Sequence, residues 1–175
     1  MHFEAWNFLS NAIYRIADCR GNPVDVKTLH VLEFGAHDVN GSPRQLFAGC
    51  AEYVGVDPWP GRGVDWMGKA QDYDGQERFD VVITAEAMEH DPDAQGQISS
   101  AWRALKPGGT LILTAAAEPR LPHRCDGYQG DLAGEYYGNI DPDELRGWLS
   151  DWVDVTVQHD KNHGDVYAVA VKPCN

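Results

Sequence analysis

Two acidic residues, Glu33 and Asp57, each lie at the end of an apolar run, and the turn after the first carries Gly35 and Gly41. The first stretch reads Val31-Leu32-Glu33-Phe34-Gly35-Ala36-His37-Asp38-Val39-Asn40-Gly41-Ser42, and the second Tyr53-Val54-Gly55-Val56-Asp57. A carboxylate offers two oxygens that accept hydrogen bonds together, which suits a vicinal diol such as that of a ribose. A glycine turn lets a ligand approach the backbone closely. In an open parallel sheet the two would stand side by side at the carboxyl ends of neighbouring strands, where such folds bind ligands. A nicotinamide dinucleotide site needs three glycines to bring a pyrophosphate to a helix N-terminus. Here the middle position is His37, so the turn suits a ligand without phosphate.

Further groups follow in order. Pro58 and Trp59 come directly after Asp57, and Gly68-Lys69-Ala70-Gln71-Asp72 lies a short way on. Phe79-Asp80-Val81-Val82 leads to Glu86-Ala87-Met88-Glu89-His90, and Leu105-Lys106-Pro107-Gly108-Gly109-Thr110-Leu111 comes after that. Together these motifs resemble those of the class I S-adenosylmethionine-dependent methyltransferases, and the likeness runs from Leu29 to Lys172. The resemblance implies S-adenosyl-L-methionine as cofactor, framed by Glu33, Gly35, Ala36, His37, Asp57, Pro58, Trp59, Ala70, Gln71 and Glu86. It places the Asp57 carboxylate on the ribose hydroxyls and Trp59 beside the adenine, where a turn tryptophan packed on the sheet edge is the competing reading. The family commonly has an aspartate where this chain has Lys69. An ammonium cannot accept from the adenine amino group, so Ala70, Gln71 or Asp72 would take over that contact.

Methyl transfer from a sulfonium is an in-line displacement. It needs proximity, and a base only if the acceptor must lose a proton. His90 is the catalytic candidate because imidazole titrates in the useful range; the alternative is a structural Glu-His pair at a helix entry. His123, Tyr128, Tyr136 and Tyr137 fall in a long polar segment that would cover the acceptor, or merely pack there. His159 and His163 lie four apart in an expected hairpin, so no metal site is expected. The acceptor expected is a small molecule or another non-duplex substrate. A catalytically silent cofactor-binding or scaffold protein of the same fold is the first rival, and a nicotinamide-dependent oxidoreductase the second.

Several elements must position these groups. Trp6, Leu9, Ile13 and Ile16 recur at helical spacing, predicting a helix from Phe3 to about Cys19. Strands are expected at 29–34, 53–57, 64–67, 79–85 and 110–115, with a short helix at 42–49 and a longer one at 91–105. Lys106 to Gly109 should end that helix. Residues 117–140 read as a loop on the acceptor side, followed by a helix from Asp141 and a hairpin pairing 152–158 with 165–171. Strands alternating with helices argue for a doubly wound α/β fold. With the resemblance, this becomes a mostly parallel seven-stranded sheet closed by a C-terminal antiparallel hairpin, in a single domain spanning 1–175.

The net charge of −13 argues against a nucleic-acid duplex as partner, because phosphate binding requires a basic surface. No apolar run approaches the roughly 20 residues of a membrane span, and the N-terminus lacks the basic start and apolar stretch of a signal peptide. Cys19, Cys50, Cys125 and Cys174 show no paired spacing, which reads as unpaired thiols in a reducing, cytoplasmic setting. A homodimer is left open.

Overall fold

A computed structural model describes residues 1–174. One seven-stranded sheet has the order β3-β2-β1-β4-β5-β7-β6, built from β1 (His30–Phe34), β2 (Glu52–Asp57), β3 (Trp66–Met67), β4 (Phe79–Ala85), β5 (Leu105–Ala116), β6 (Val153–Asp160) and β7 (Asp165–Val171). The first five are parallel, and β7 runs antiparallel between β5 and β6. This is the doubly wound sheet with a closing hairpin. The sequence reversal at β1, flanked by β2 and β4, opens a crevice at the carboxyl ends of these strands.

The inner strands are apolar on both faces, as a sheet covered on both sides requires. Alternation along each strand sends successive side chains to opposite cores. Leu32, Phe34, Val82, Leu111 and Leu113 join Ile98 and Ala101 of α2 (Ala94–Ala104) and Leu145 of α3 (Pro142–Trp148). Val31, Val81, Ile83 and Ile112 join Leu9 and Ala12 of α1 (Phe3–Ala12) together with Phe47. Both later helices start at aspartate caps. Asp93 accepts from the Gly96 N–H, and Asp141 from those of Asp143 and Glu144, each cap contributing about 1 kcal/mol.

Several expectations need adjustment. α1 stops at Ala12 and tightens into a 3₁₀ turn over Ile13–Arg15, with Ala5, Leu9 and Ala12 of the helix and Ile16 after it buried in the core, and Trp6 and Ile13 only partly covered. The helix expected at 42–49 is a 3₁₀ turn over Pro43–Phe47, capped by the Ser42 side chain. β5 starts at Leu105 directly after α2. Leu105 pairs with Phe79 and Thr110 with Val81, so Lys106–Gly109 bulges opposite Asp80 and the Lys106 ammonium meets its carboxylate at 2.7 Å.

The cysteine reading is corrected. Cys19 and Cys174 form a disulfide across 155 residues, with Cα atoms 5.9 Å apart, while Cys50 and Cys125 are free. Spacing along the chain gave no hint of this pair, because β7 carries Cys174 back beside the segment after α1. The unpaired-thiol argument for a reducing compartment therefore falls. No helix among the described residues is long and apolar enough to cross a membrane.

Candidate cofactor and acceptor site

The turn after β1 is shaped by close backbone approach. Gly35 has φ +74°, and a Cβ there would stand 2.2 Å from that of Ala87. The Gly35 and Ala36 N–H groups both donate to the Val56 carbonyl, at 2.9 and 3.1 Å. This fastens the turn to β2. The His37 N–H then donates to Asp57 Oδ2 at 3.1 Å, and the Trp59 N–H to Asp57 Oδ1 at 2.8 Å. Each carboxylate oxygen accepts one backbone hydrogen bond and keeps a lone pair free. Asp57 lines a cavity of ≈210 Å³ with Pro58, Trp59, Lys69, Ala70 and Gln97.

A second cavity, of ≈570 Å³, lies on the other side of the turn and is lined by Glu33, Ala36, Asp38, Ser42, Arg120 and His123, among others. Gly35, His37, Glu86 and His90 border both. The two spaces therefore form a trench along the carboxyl edge of β2, β1 and β4.

Electrostatics differ along the trench. Glu33 is 2% exposed and accepts from the Tyr53 hydroxyl at 2.9 Å and more weakly from Ser42 at 3.4 Å. Burial outweighs these bonds and raises its carboxyl to about 7. Glu86 sits at φ +54° and faces two cations, with His2 Nε2 at 3.3 Å and Arg120 at 3.7 Å from its Oε2. Asp165, fully buried, pairs with the same Arg120 and accepts from Tyr167 at 2.7 Å. These carboxylates raise the His2 imidazole to about 10, hydrogen bonding to Asp165 being the largest cause. At the floor, Glu89 is fully buried, and burial, with the nearby Glu86 charge, raises its carboxyl to about 8. His90 is held below the usual imidazole range by burial and by His123.

The structure brings nine of the ten expected cofactor residues, and His90, to the trench. Gln71 stands apart: its side-chain amide donates to Asp91 Oδ2 at 2.7 Å and to the Asp93 carbonyl at 2.8 Å, holding the entry to α2. His2, Arg120, Gln97 and Cys125 also line the trench. Only long-range packing brings them there, so no local spacing pointed to them.

This sheet order, with a glycine turn after β1 and an acid ending β2, defines the fold of the class I S-adenosylmethionine-dependent methyltransferases. Residues 32–113 match the family model of a methyltransferase domain. In its fold, and over residues 32–113, the chain is similar to that class. The 1,6-didemethyltoxoflavin-N1-methyltransferase of Burkholderia thailandensis, solved with 1,6-didemethyltoxoflavin and S-adenosylhomocysteine, superposes with a TM-score of 0.65 at 17% identity over 97% of this chain and 77% of its own. A phosphoethanolamine N-methyltransferase of Haemonchus contortus, solved with phosphomonomethylethanolamine and S-adenosylhomocysteine, gives 0.66 at 17% identity over 96% of this chain. This chain spans 53% of that enzyme. The N-methyltransferase NodS of Bradyrhizobium japonicum, with S-adenosylhomocysteine, gives 0.60 at 16% identity, covering 94% of this chain and 85% of its own. No curated protein sequence matches the chain.

Proposed function

We propose that this protein transfers the methyl group of S-adenosylmethionine to a small-molecule acceptor. The observation that carries this reading is the junction of the two cavities at Gly35, His37, Glu86 and His90. Asp57 would hold the ribose of the cofactor and Trp59 and Ala70 would flank its adenine, which would leave its methionine end towards that junction. Gly35, Ala36 and His37 line its path, Glu33 and Glu86 flank the methionine end, and the larger cavity is left for the acceptor. Gln71 acts at one remove, by holding Asp91 on the cavity wall. The neighbours solved with small-molecule acceptors support this class of substrate.

The chemistry follows from placement. S-adenosylmethionine, when bound, would supply an activated methyl group for in-line displacement from sulfur by the acceptor's lone pair. Most of the rate comes from holding the two reactants in line. His90 borders the junction and is held neutral, so it is the group placed to take a proton when the acceptor must lose one. Calorimetric titration should show binding of S-adenosylmethionine in the micromolar range without added metal. Release of S-adenosylhomocysteine should then depend on an added amine or hydroxyl acceptor. Binding with no turnover on any acceptor would favour the silent reading, which the departures at His37 and Lys69 permit.

A further inference from the structure

Beneath the junction lies a group of side chains that methyl transfer leaves unexplained. Glu89 is completely buried, and among the described residues neither of its carboxylate oxygens meets a side-chain partner, only the Glu89 and Ala116 main-chain N–H groups facing it. His90 Nδ1 is likewise buried and without a partner. Such orphaned groups are rare in folded proteins, and each calls for a reason, an absent ion among them. Both residues belong to one cluster: one ligand atom from each of Glu89, His90 and His123 lies within 4.8 Å of the others.

We propose that Glu89, His90 and His123 bind a divalent transition-metal ion of the zinc or cobalt type. Two imidazoles and one carboxylate are a donor set that such borderline ions favour, whereas magnesium and calcium prefer all-oxygen sites. His123 is already oriented for the task. Its Nδ1 lies 3.2 Å from the Leu121 carbonyl, and donation there leaves the Nε2 lone pair free, an arrangement common among metal-bound histidines. Tyr137 packs edge-on against both rings, with centroids 5.7 Å from His90 and 4.8 Å from His123. Its hydroxyl is fixed on Asn139 at 2.8 Å.

A second trio, His2, Glu86 and Asp165, meets the same distance criterion. There the Arg120 guanidinium already pairs with both carboxylates, so a cation fills the space and no ion is needed. Among the described residues, no Lys or Arg pairs with Glu89.

The ion would have a structural consequence. Glu89 and His90 belong to the segment after β4, while His123 belongs to the loop at 117–140, so coordination would clamp the loop over the trench. An ion on His90 Nδ1 would fix the proton on Nε2, so the proton-accepting role of His90 belongs to the metal-free protein and the loaded protein would hold an acceptor without that base.

The test uses the full chain, stripped with a chelator and titrated with Co²⁺ or Zn²⁺ alone, without S-adenosylmethionine. We expect one equivalent of Co²⁺ to bind with visible d–d absorption. His123→Ala, at a half-exposed loop position, should weaken uptake at least tenfold, and Glu89→Gln should do the same. Cys125→Ser should leave uptake unchanged. In hydrogen exchange, Zn²⁺ should protect residues 121–137 in the wild type and not in His123→Ala. If Glu89→Gln does not fold, the His123→Ala titration decides. Absence of stoichiometric uptake, equal uptake by His123→Ala, or a sulfur-to-cobalt charge-transfer band lost in Cys125→Ser would overturn the assignment. Cofactor binding is measured separately in chelator, so failure here leaves the methyltransferase reading standing.

Discussion

The main-chain N–H of His37 donates to the carboxylate of Asp57 at 3.1 Å, across 20 residues of sequence. This bond joins the glycine turn after β1 to the end of β2. It orients the carboxylate that the ribose would meet, so the same side chain serves the fold and the ligand.

Asp57→Ala should therefore show two separable losses. Two charge-assisted hydrogen bonds to ribose hydroxyls, worth roughly 1.5–3 kcal/mol each before compensation by water, would disappear, weakening S-adenosylmethionine binding at least tenfold. The His37 and Trp59 N–H groups would also lose their acceptor, lowering the melting temperature. Asp57→Asn, which keeps an acceptor oxygen, should recover much of the stability and little of the affinity. Equal cofactor affinity in wild type and Asp57→Ala by calorimetry would refute the ribose assignment.

Two glycines of the same loop should respond differently to alanine. Gly35 combines φ +74° with a would-be Cβ only 2.2 Å from the Ala87 Cβ, so Gly35→Ala must push β1 away from the segment after β4. Gly41 has φ +100° and open space around it, so Gly41→Ala adds only backbone strain, of order 1–3 kcal/mol. Denaturant unfolding should show the larger loss at position 35, together with loss of cofactor binding. Equal effects at the two positions would show that the contact with Ala87 is not limiting.

Trp59 is 66% exposed at the edge of the smaller cavity. Stacking on adenine should change its fluorescence on cofactor addition, and Trp59→Ala should weaken binding by about 1 kcal/mol. The stacking role fails if affinity is unaltered and the fluorescence response survives in the variant.

Glu33 predicts a pH dependence of stability. Its carboxyl is raised by burial from 4.5 to about 7. Between these values the folded protein holds a proton that the unfolded chain has released. The unfolded state thus binds fewer protons, and the Glu33 contribution to stability falls as pH rises from about 4.5 to 7, then levels off. Glu33→Gln keeps an acceptor for Tyr53 and removes the titration. The difference in unfolding free energy between the two proteins should therefore shift in favour of Glu33→Gln across that window. A difference that does not change with pH would mean that Glu33 is ionised throughout.

The strands were legible because burial on both faces leaves an unmistakable apolar run. β4 begins and ends where Phe79 and Ala85 indicate, and β1 and β2 differ from expectation by a single residue at their starts. Helix ends were less legible, since the side chains of Ile13 and Ile16 continue a helical spacing that the backbone abandons after Ala12. Glu33, Gly35 and Asp57 could be found because their roles depend on local order along one strand and its turn. Arg120 and Cys174 could not. Arg120 meets Asp165 and Glu86 only through the hairpin and β4, and Cys174 reaches Cys19 only because β7 inserts between β5 and β6.

The loop at 117–140 yields the last prediction. Its two ends are tied to each other and to the sheet: Ile140 donates to the Ala116 carbonyl at 2.8 Å, Gly138 to that of Glu89 at 2.8 Å, and the Asn139 amide to that of Arg120 at 2.9 Å. Between these ties, Leu121, Tyr128 and Tyr136 are exposed, and His123, Cys125, Gly127 and Gln129 line the larger cavity. A segment anchored at both ends, and tied between them mostly to itself, as by the Cys125 N–H on Glu135 at 2.8 Å, can close over bound reactants and exclude water. In the metal-free protein, hydrogen exchange should therefore find residues 116–120 and 138–140 protected in every state, with 121–136 gaining protection only when cofactor and acceptor are both present. Tyr136→Phe and Tyr137→Phe should lower acceptor turnover while cofactor affinity stays within about twofold. Asn139→Ala, which unties the two ends, should raise exchange throughout the loop and raise the acceptor KM. Equal protection of 121–136 with and without ligands would show a fixed wall in place of a closing lid, and acceptor selectivity would then rest on the rigid lining from Glu86 and His90.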